Sequence, residues 1–125
     1  QSTTGLDIDD KISTSKGTAG DILSILYKNN VDFPELMKIS ASPKATIFTT
    51  TGTPYTFENT NELTGKLPLL VAGKTGYTLE AKGCFMVIQK KSERYVIHIV
   101  LKSEDRFGDM SNLFDLINEK YLNIN

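Results

Sequence analysis

Three extended segments follow one another in the second half of the chain and limit its fold more than any other feature. They occupy residues 69–78, 83–90 and 94–102. Residues 90–93 suit a hairpin loop between the last two segments, so these strands should pair antiparallel. Residues 95–101 hardly alternate between apolar and polar side chains, which predicts a strand covered on both faces by helices.

A helical pattern precedes the strands. Thr18 is a good N-cap with Asp21 three residues later, and apolar residues recur at helical spacing after it. We therefore expect a helix from about residue 18 to residue 29, ended by two asparagines. Residues 34–37 should add one short helical turn.

A hairpin and a final helix complete the pattern. Residues 44–50 and 55–58 are expected to form the hairpin, with turn-forming residues between them. The last helix is expected over about residues 109–122, with Asp109 or Ser111 as its cap. Its apolar stripe consists of Met110, Leu113, Phe114, Ile117 and Tyr121. This order of elements predicts an α+β fold, an antiparallel sheet flanked by helices.

Composition excludes several classes of function. The chain has 125 residues, 39% of them hydrophobic, which suits one domain or part of one. Its 14 basic and 15 acidic residues give a net charge of −1, so nothing favours a nucleic-acid partner. The single Cys84 excludes an internal disulfide, no cluster has metal-ligand spacing, and His98 is expected to be a satisfied core residue. Residues 1–4 lack the features of a signal peptide, and no stretch is long and apolar enough to cross a bilayer.

The tripeptide Lys74-Thr75-Gly76 is the most informative local motif. A strand ammonium in a low-dielectric cleft can hold a carboxylate or move a proton. The threonine hydroxyl can donate a hydrogen bond, and a glycine lets a ligand approach the backbone closely. A phosphate-binding loop also ends in Gly-Lys-Thr, but it needs a glycine where Pro68 stands. The alternative interpretations are a solvated lysine and an ordinary strand threonine.

The wider context of this motif resembles the serine D-alanyl-D-alanine carboxypeptidases, which are low-molecular-weight penicillin-binding proteins. The similar stretches are Thr4-Gly5-Leu6-Asp7, Thr18-Ala19-Gly20-Asp21, Asn59-Thr60-Asn61-Glu62-Leu63, Gly73 to Thr78 and Glu80 to Cys84. They keep the family's order, so residues 1–125 resemble the C-terminal portion of a β-lactamase/transpeptidase-like catalytic domain. The resemblance implies a cofactor-free hydrolase that acts on peptidoglycan stem peptides outside the bacterial cytoplasm and is acylated by β-lactams.

The resemblance also implies roles for individual residues. Lys74 and the backbone N–H of Tyr77, as a donor of the oxyanion hole, would be the catalytic groups. The substrate-binding residues would be Thr75, Gly76, Thr78 and Arg106. A surface arginine before a helix is an equally good interpretation of Arg106.

The family's nucleophile has no credible counterpart in this sequence. The serine of a Ser-x-x-Lys tetrad and a Ser-x-Asn lie far upstream of Lys-Thr-Gly in the family, and only 73 residues precede Lys74 here. Ser13-Thr14-Ser15-Lys16 fits the tetrad, but Gly17 follows at once and the chain order is wrong. We therefore expect the isolated chain to be inactive and to need the N-terminal part of the domain or another chain. The strand near residues 95–102 would lack a neighbour, so self-association through its edge is also expected.

Two other functions remain open at this level. One is a non-catalytic module that binds wall peptides or completes a partner chain. The other is β-lactamase-type hydrolysis, which would need a deacylating base from elsewhere.

Overall fold

The computed structural model describes residues 15–122 as helices packed on an antiparallel sheet. In chain order the elements are α1 (Ala19–Asp32), α2 (Pro34–Ile39), β1 (Lys44–Phe48), β2 (Pro54–Glu58), β3 (Leu70–Thr78), β4 (Lys82–Lys91), β5 (Arg94–Ser103) and α3 (Arg106–Ile117). A π-helical turn, Asn118–Leu122, follows α3. The predicted α+β architecture is confirmed. The motif at residues 4–7 and Ser13 lie outside the described residues.

Strand β4 is the centre of a three-stranded sheet with the order β3-β4-β5. Its side chains alternate between two hydrophobic clusters. Phe85 and Val87 face α3 and pack with Phe114. Ile88 faces the other way and packs with Leu26 of α1. Burying each of these large side chains contributes roughly 1.5–3 kcal/mol, so the stability of the sheet depends on helices on both faces.

Helix α1 begins as the sequence predicts. The Thr18 hydroxyl accepts a hydrogen bond from the N–H of Asp21, and the Asp21 carboxylate accepts one from the N–H of Thr18. Such a cap is worth about 1 kcal/mol. The helix ends at Asp32, beyond the predicted end near residue 29. It stops there because Phe33 precedes Pro34, and a residue before proline is disfavoured in the helical conformation.

The predicted start of the last helix is wrong. Helix α3 begins at Arg106, and its N-cap is Asp105 rather than Asp109 or Ser111. The Asp105 carboxylate accepts a hydrogen bond from the N–H of Gly108 at 3.0 Å. Because this carboxylate comes two residues after the end of β5, the helix can start about one turn earlier than the apolar stripe suggests.

The apolar stripe of α3 is correct in its first part. Met110 and Phe114 are fully buried against the sheet. Tyr121 lies in the π-helical turn and is 71% exposed. The helical spacing therefore ends where the π turn changes the direction of the side chains.

The β1–β2 hairpin is a separate two-stranded sheet. All of its residues are exposed, and it is held by its own ladder and by a hydrogen bond between the hydroxyls of Thr46 and Thr56 at 2.9 Å. It positions the chain that leads from α2 into β3.

The predicted burial of β5 on both faces holds only for the middle of the strand, because residues 94–95 and 101–102 are exposed. Ile97 packs in the cluster of α1, whereas the ring of His98 lies 5.0 Å from that of Phe114 in α3. Among residues 15–122, β5 pairs only with β4, so its outer edge is open.

His98 belongs to a buried polar chain between the sheet and α3. It is 2% exposed, and its Nε2 lies 3.2 Å from Oε1 of Gln89. Gln89 in turn donates from Nε2 to Oδ1 of Asn118 at 2.8 Å. Burial lowers the pKa of His98 below its ordinary value, because the charged imidazolium would lose its hydration.

The stability of the chain should therefore fall in mildly acidic solution. The folded pKa of His98 lies below the unfolded value of about 6.5, so its contribution is complete above that pH and is lost as the pH falls through the folded pKa. Urea unfolding from about pH 7.5 to about pH 5.5 measures this slope. Since His98 is the only histidine, His98→Phe should flatten it. Equal slopes in the two proteins would contradict this role.

Candidate functional site

The outer edge of β3 presents backbone groups that β4 does not use. The N–H of Gly73 donates to the hydroxyl of Ser40 at 3.0 Å and therefore points away from β4. Backbone groups of alternate residues point the same way along a strand, so the N–H groups of Thr75 and Tyr77 are on this edge too. Tyr77 is 59% exposed. The N–H of Tyr77 therefore points to the outer edge of β3, where the expected oxyanion role would need it.

The side chain of Lys74 lies on the α1 side of the sheet, where its strand partner is Met86. It lines a groove of about 290 Å³ between β3 and the first two helices, with Ile25 and Leu36 on the opposite wall. Its Nζ donates a hydrogen bond to the carbonyl oxygen of Thr75. Lys74 is exposed, so its ammonium is directed along the free edge of the strand and not into the core.

Thr75 lies on the opposite face of the strand and is only 7% exposed. Its hydroxyl is 3.0 Å from the hydroxyl of Thr60, in the connection between β2 and β3. The sequence predicts a substrate contact for Thr75 but does not predict its hydrogen bond with Thr60. A hydroxyl has one proton, so Thr75 can donate a hydrogen bond to another group only when Thr60 is the donor within this pair.

Gly76 and Thr78 occupy the end of the strand. A Cβ at Gly76 would meet no atom within 4 Å, so that face of the strand is open among the described residues. The hydroxyl of Thr78 accepts a hydrogen bond from the N–H of Ala81 at 3.0 Å. Thr78 therefore stabilises the β3–β4 turn.

Arg106 reaches the same end of the strand from α3. Its Nη1 donates to the carbonyl oxygen of Gly76 at 3.2 Å, and its guanidinium carbon lies 4.8 Å from the ring centre of Phe107. The side chain crosses Gly83, where an added Cβ would come within 3.0 Å of Cβ of Arg106. Gly83 is thus needed for space rather than for an unusual backbone conformation.

Two cations therefore flank the free end of β3. Neither Lys74 nor Arg106 is in an ion pair among residues 15–122, where the recorded pairs involve other side chains. Together with the free N–H of Tyr77, they form a site suited to an anion such as a carboxylate.

Comparison with known proteins identifies the family. The model of the D-alanyl-D-alanine carboxypeptidase family matches residues 1–105. The chain belongs to this family. A search of curated protein sequences found no match.

Solved structures of related penicillin-binding proteins share the fold. Penicillin-binding protein D2 from Listeria monocytogenes, in its cefotaxime-bound form, has 30% identity and a TM-score of 0.72, over 93% of this chain and 45% of that one. The D-alanyl-D-alanine carboxypeptidase from Mycobacterium tuberculosis has 26% identity and a TM-score of 0.70, over 89% and 43%. A mutant Streptomyces DD-transpeptidase, 24% identical with a TM-score of 0.69 over 79% and 41%, shares the fold. The chain thus spans less than half the length of these proteins.

The asparagines of the Asn59-Thr60-Asn61 stretch bond to the backbone. Asn59 donates to the carbonyl oxygens of Ser40 and Ser42 at 2.8 and 2.9 Å, and Asn61 accepts from the N–H of Leu63 at 3.0 Å. Sequence reasoning missed Ser40 and Thr60 as neighbours of β3. The position of Thr60 inside the motif was the available signal, whereas nothing near Ser40 distinguished it.

Gly73 should be intolerant of a side chain, in contrast to Gly76. A Cβ at Gly73 would lie 2.9 Å from the buried Nδ2 of Asn61. We expect Gly73→Ala to lower the free energy of unfolding by roughly 1–3 kcal/mol, as overpacking of a fixed site does. Gly76→Ala is the matched control and should change it by less than about 1 kcal/mol, because its Cβ meets open space. Equal effects of the two substitutions in urea titrations would contradict this packing.

Proposed function

We propose that this chain is the C-terminal portion of the catalytic domain of a serine-type D-alanyl-D-alanine carboxypeptidase. The observation that carries the proposal is that Lys74 and Arg106 donate to the consecutive carbonyl oxygens of Thr75 and Gly76, directly before the outward N–H of Tyr77. A D-Ala-D-Ala peptide ends in a carboxylate next to the amide bond that is cleaved. A site that cleaves this bond needs cations for the carboxylate and a donor for the carbonyl oxygen.

The proposed reaction is acyl transfer in two steps. A serine hydroxyl from another part of the domain attacks the carbonyl carbon between the two D-alanines, which forms an ester and releases the terminal D-alanine with the transferred proton. Water then hydrolyses the ester and regenerates the serine. Within this chain, Tyr77 N–H stabilises the oxyanion of each step, and such a donor is worth about 2.7–4 kcal/mol in the transition state.

The cationic and polar side chains would bind the free acid. Arg106, held by the Gly76 carbonyl, and Lys74 neutralise the carboxylate, and Thr75 supplies a hydrogen bond. Gly76 allows the peptide backbone to lie along the strand. A β-lactam would enter through the same contacts, because it also carries a carboxylate beside a reactive carbonyl. Such an enzyme works on the cell wall, outside the bacterial cytoplasm, and no helix among the described residues is long and apolar enough to span a membrane.

The serine is proposed to come from another part of the domain and not from Ser13 of this chain. Lys16, the last member of the Ser13–Lys16 pattern, precedes the N-cap of α1 and is not in a helix. A tetrad whose lysine acts as a base needs both side chains on one helical face. We therefore infer that the isolated chain forms no acyl-enzyme.

Peptide binding tests the proposed site without requiring turnover. A D-Ala-D-Ala peptide should shift the amide signals of residues 73–77, and Lys74→Gln or Arg106→Gln should weaken its binding about tenfold or more, as expected for a hydrogen bond to a charged group. The peptide with a carboxamide end should lose the same affinity. Lys44→Gln, in the exposed hairpin, is the control and should have no effect.

A fluorescent penicillin gives the second arm of this test. We expect no covalent labelling of the isolated chain. Labelling that Ser13→Ala abolishes would locate a nucleophile in this chain and refute its proposed inactivity. Binding that depends on neither cation would refute the proposed site.

We further propose that the open edge of β5 receives a strand from the rest of the domain. A groove of about 380 Å³ runs along this edge. Its lining includes Leu23 of α1, Ile97 of β5 and Leu113 of α3. A strand added here would gain backbone hydrogen bonds and apolar cover from both helices. In the isolated chain, a second copy would take its place.

Sedimentation should therefore show association of the isolated chain. Its mean mass should rise with concentration, and Val96→Lys should reduce this rise because a charge at an open strand edge opposes pairing. Ile47→Lys in the exposed hairpin removes a similar apolar residue and should leave association unchanged. A monomer at every concentration would contradict the proposal, and a stronger effect of Ile47→Lys would assign association to the hairpin.

A further inference from the structure

Three consecutive residues between β2 and β3 each support the strand that carries Lys74. Asn59, Thr60 and Asn61 follow β2 directly. The Oδ1 of Asn59 accepts a hydrogen bond from the N–H of Asn61 at 2.9 Å, which fixes the turn. The three side chains then leave the turn toward different parts of the structure around β3.

Asn59 acts on β3 through Ser40. Its Nδ2 donates to the carbonyl oxygens of Ser40 and Ser42, so it holds the end of α2. The Ser40 hydroxyl donates to Met37 at 2.6 Å and accepts the N–H of Gly73 at 3.0 Å. The outer edge of β3 is thus held one residue before Lys74, although no strand within residues 15–122 pairs with it there.

Asn61 acts on the face of the strand. It is buried, and its Nδ2 lies where a Cβ at Gly73 would come within 2.9 Å. Its Oδ1 is occupied by the N–H of Leu63, which sets the orientation of the amide. The amide group therefore packs directly on the backbone of Gly73.

Thr60 acts on the hydroxyl of Thr75. Each of the two hydroxyls has one proton, and they are 3.0 Å apart, so only one can donate within the pair. When Thr60 donates, Thr75 accepts and keeps its own proton for another acceptor. Thr75 is only 7% exposed, so the hydroxyl of Thr60 rather than bulk water is the partner that the structure gives to its hydroxyl.

We propose that Asn59, Thr60 and Asn61 are positioning residues for the substrate strand, and that Thr60 orients the Thr75 hydroxyl toward a bound carboxylate. This inference deepens the proposed function and rests on it for the identity of the ligand. The turn does not touch the ligand. Through its contacts at Gly73, the turn fixes the position of β3. Through Thr60, it fixes the direction in which the Thr75 hydroxyl donates.

The test compares two threonine pairs in the full chain. Thr60→Val removes the hydroxyl that faces Thr75, and Thr60→Ser restores a hydroxyl. Thr56→Val removes the similar hydroxyl pair with Thr46 in the hairpin and is the matched control. Thr60→Ala replaces Thr60→Val should the latter not fold.

Two readouts separate positioning from general stability. Three-bond couplings report the χ1 rotamer of Thr75, which should be single in the unmodified chain and in Thr60→Ser and averaged in Thr60→Val. Affinity for a D-Ala-D-Ala peptide should fall about threefold to tenfold in Thr60→Val, the range of one neutral hydrogen bond. It should stay within about twofold in Thr60→Ser and Thr56→Val.

The outcomes distinguish this inference from the proposed function. An unchanged Thr75 rotamer in Thr60→Val overturns the positioning role, whatever the peptide does. If the Thr75 rotamer is averaged in Thr60→Val but the unmodified chain does not bind the peptide, the positioning of Thr75 is supported and the proposed ligand is refuted. A loss of affinity in Thr56→Val equal to that in Thr60→Val overturns the assignment to Thr60.

Discussion

The free outer edge of β3 is the constraint on which the site depends. A strand that is hydrogen-bonded on one side only would ordinarily fray or pair with another chain. Here the N–H of Gly73 is bound by Ser40, and Asn61 packs on the same residue. The outer edge is therefore held at Gly73 and, among the described residues, is open from Lys74 to the end of the strand. A ligand could use the outward N–H groups beyond Gly73, whereas the carbonyl oxygens of Thr75 and Gly76 already accept hydrogen bonds from Lys74 and Arg106.

The electrostatic character of the site arises from elements far apart in the chain. Lys74 belongs to β3, whereas Arg106 is the first residue of α3 and lies 30 residues from the Gly76 carbonyl that it binds. Gly83 of β4 provides the space through which the arginine passes. Asp105, the N-cap, determines where α3 starts and therefore where the side chain of Arg106 lies. A change at any of these positions would move one cation relative to the other.

The sequence predicts the elements of this fold well because each follows from local physical rules. The Thr18 cap and the strand segments need only nearest neighbours along the chain. The predicted start of α3 is too late because it rests on the first apolar residue of the stripe. The true N-cap, Asp105, has no apolar neighbour that would mark it as the start of a helix. The face and burial of Thr75, and its partner Thr60, depend on how a turn folds back onto a strand. Spacing alone cannot supply such a contact, although the family motif places Thr60 near the site.

We propose that the free end of β3 binds the carboxylate end of a D-Ala-D-Ala peptide. Nuclear Overhauser effects between an unlabelled peptide and the isotope-labelled chain test it most directly. We expect contacts from the terminal D-Ala methyl group to the Gly76 Hα atoms and the Tyr77 amide proton. Contacts confined to the exposed hairpin or to the edge of β5 would contradict it.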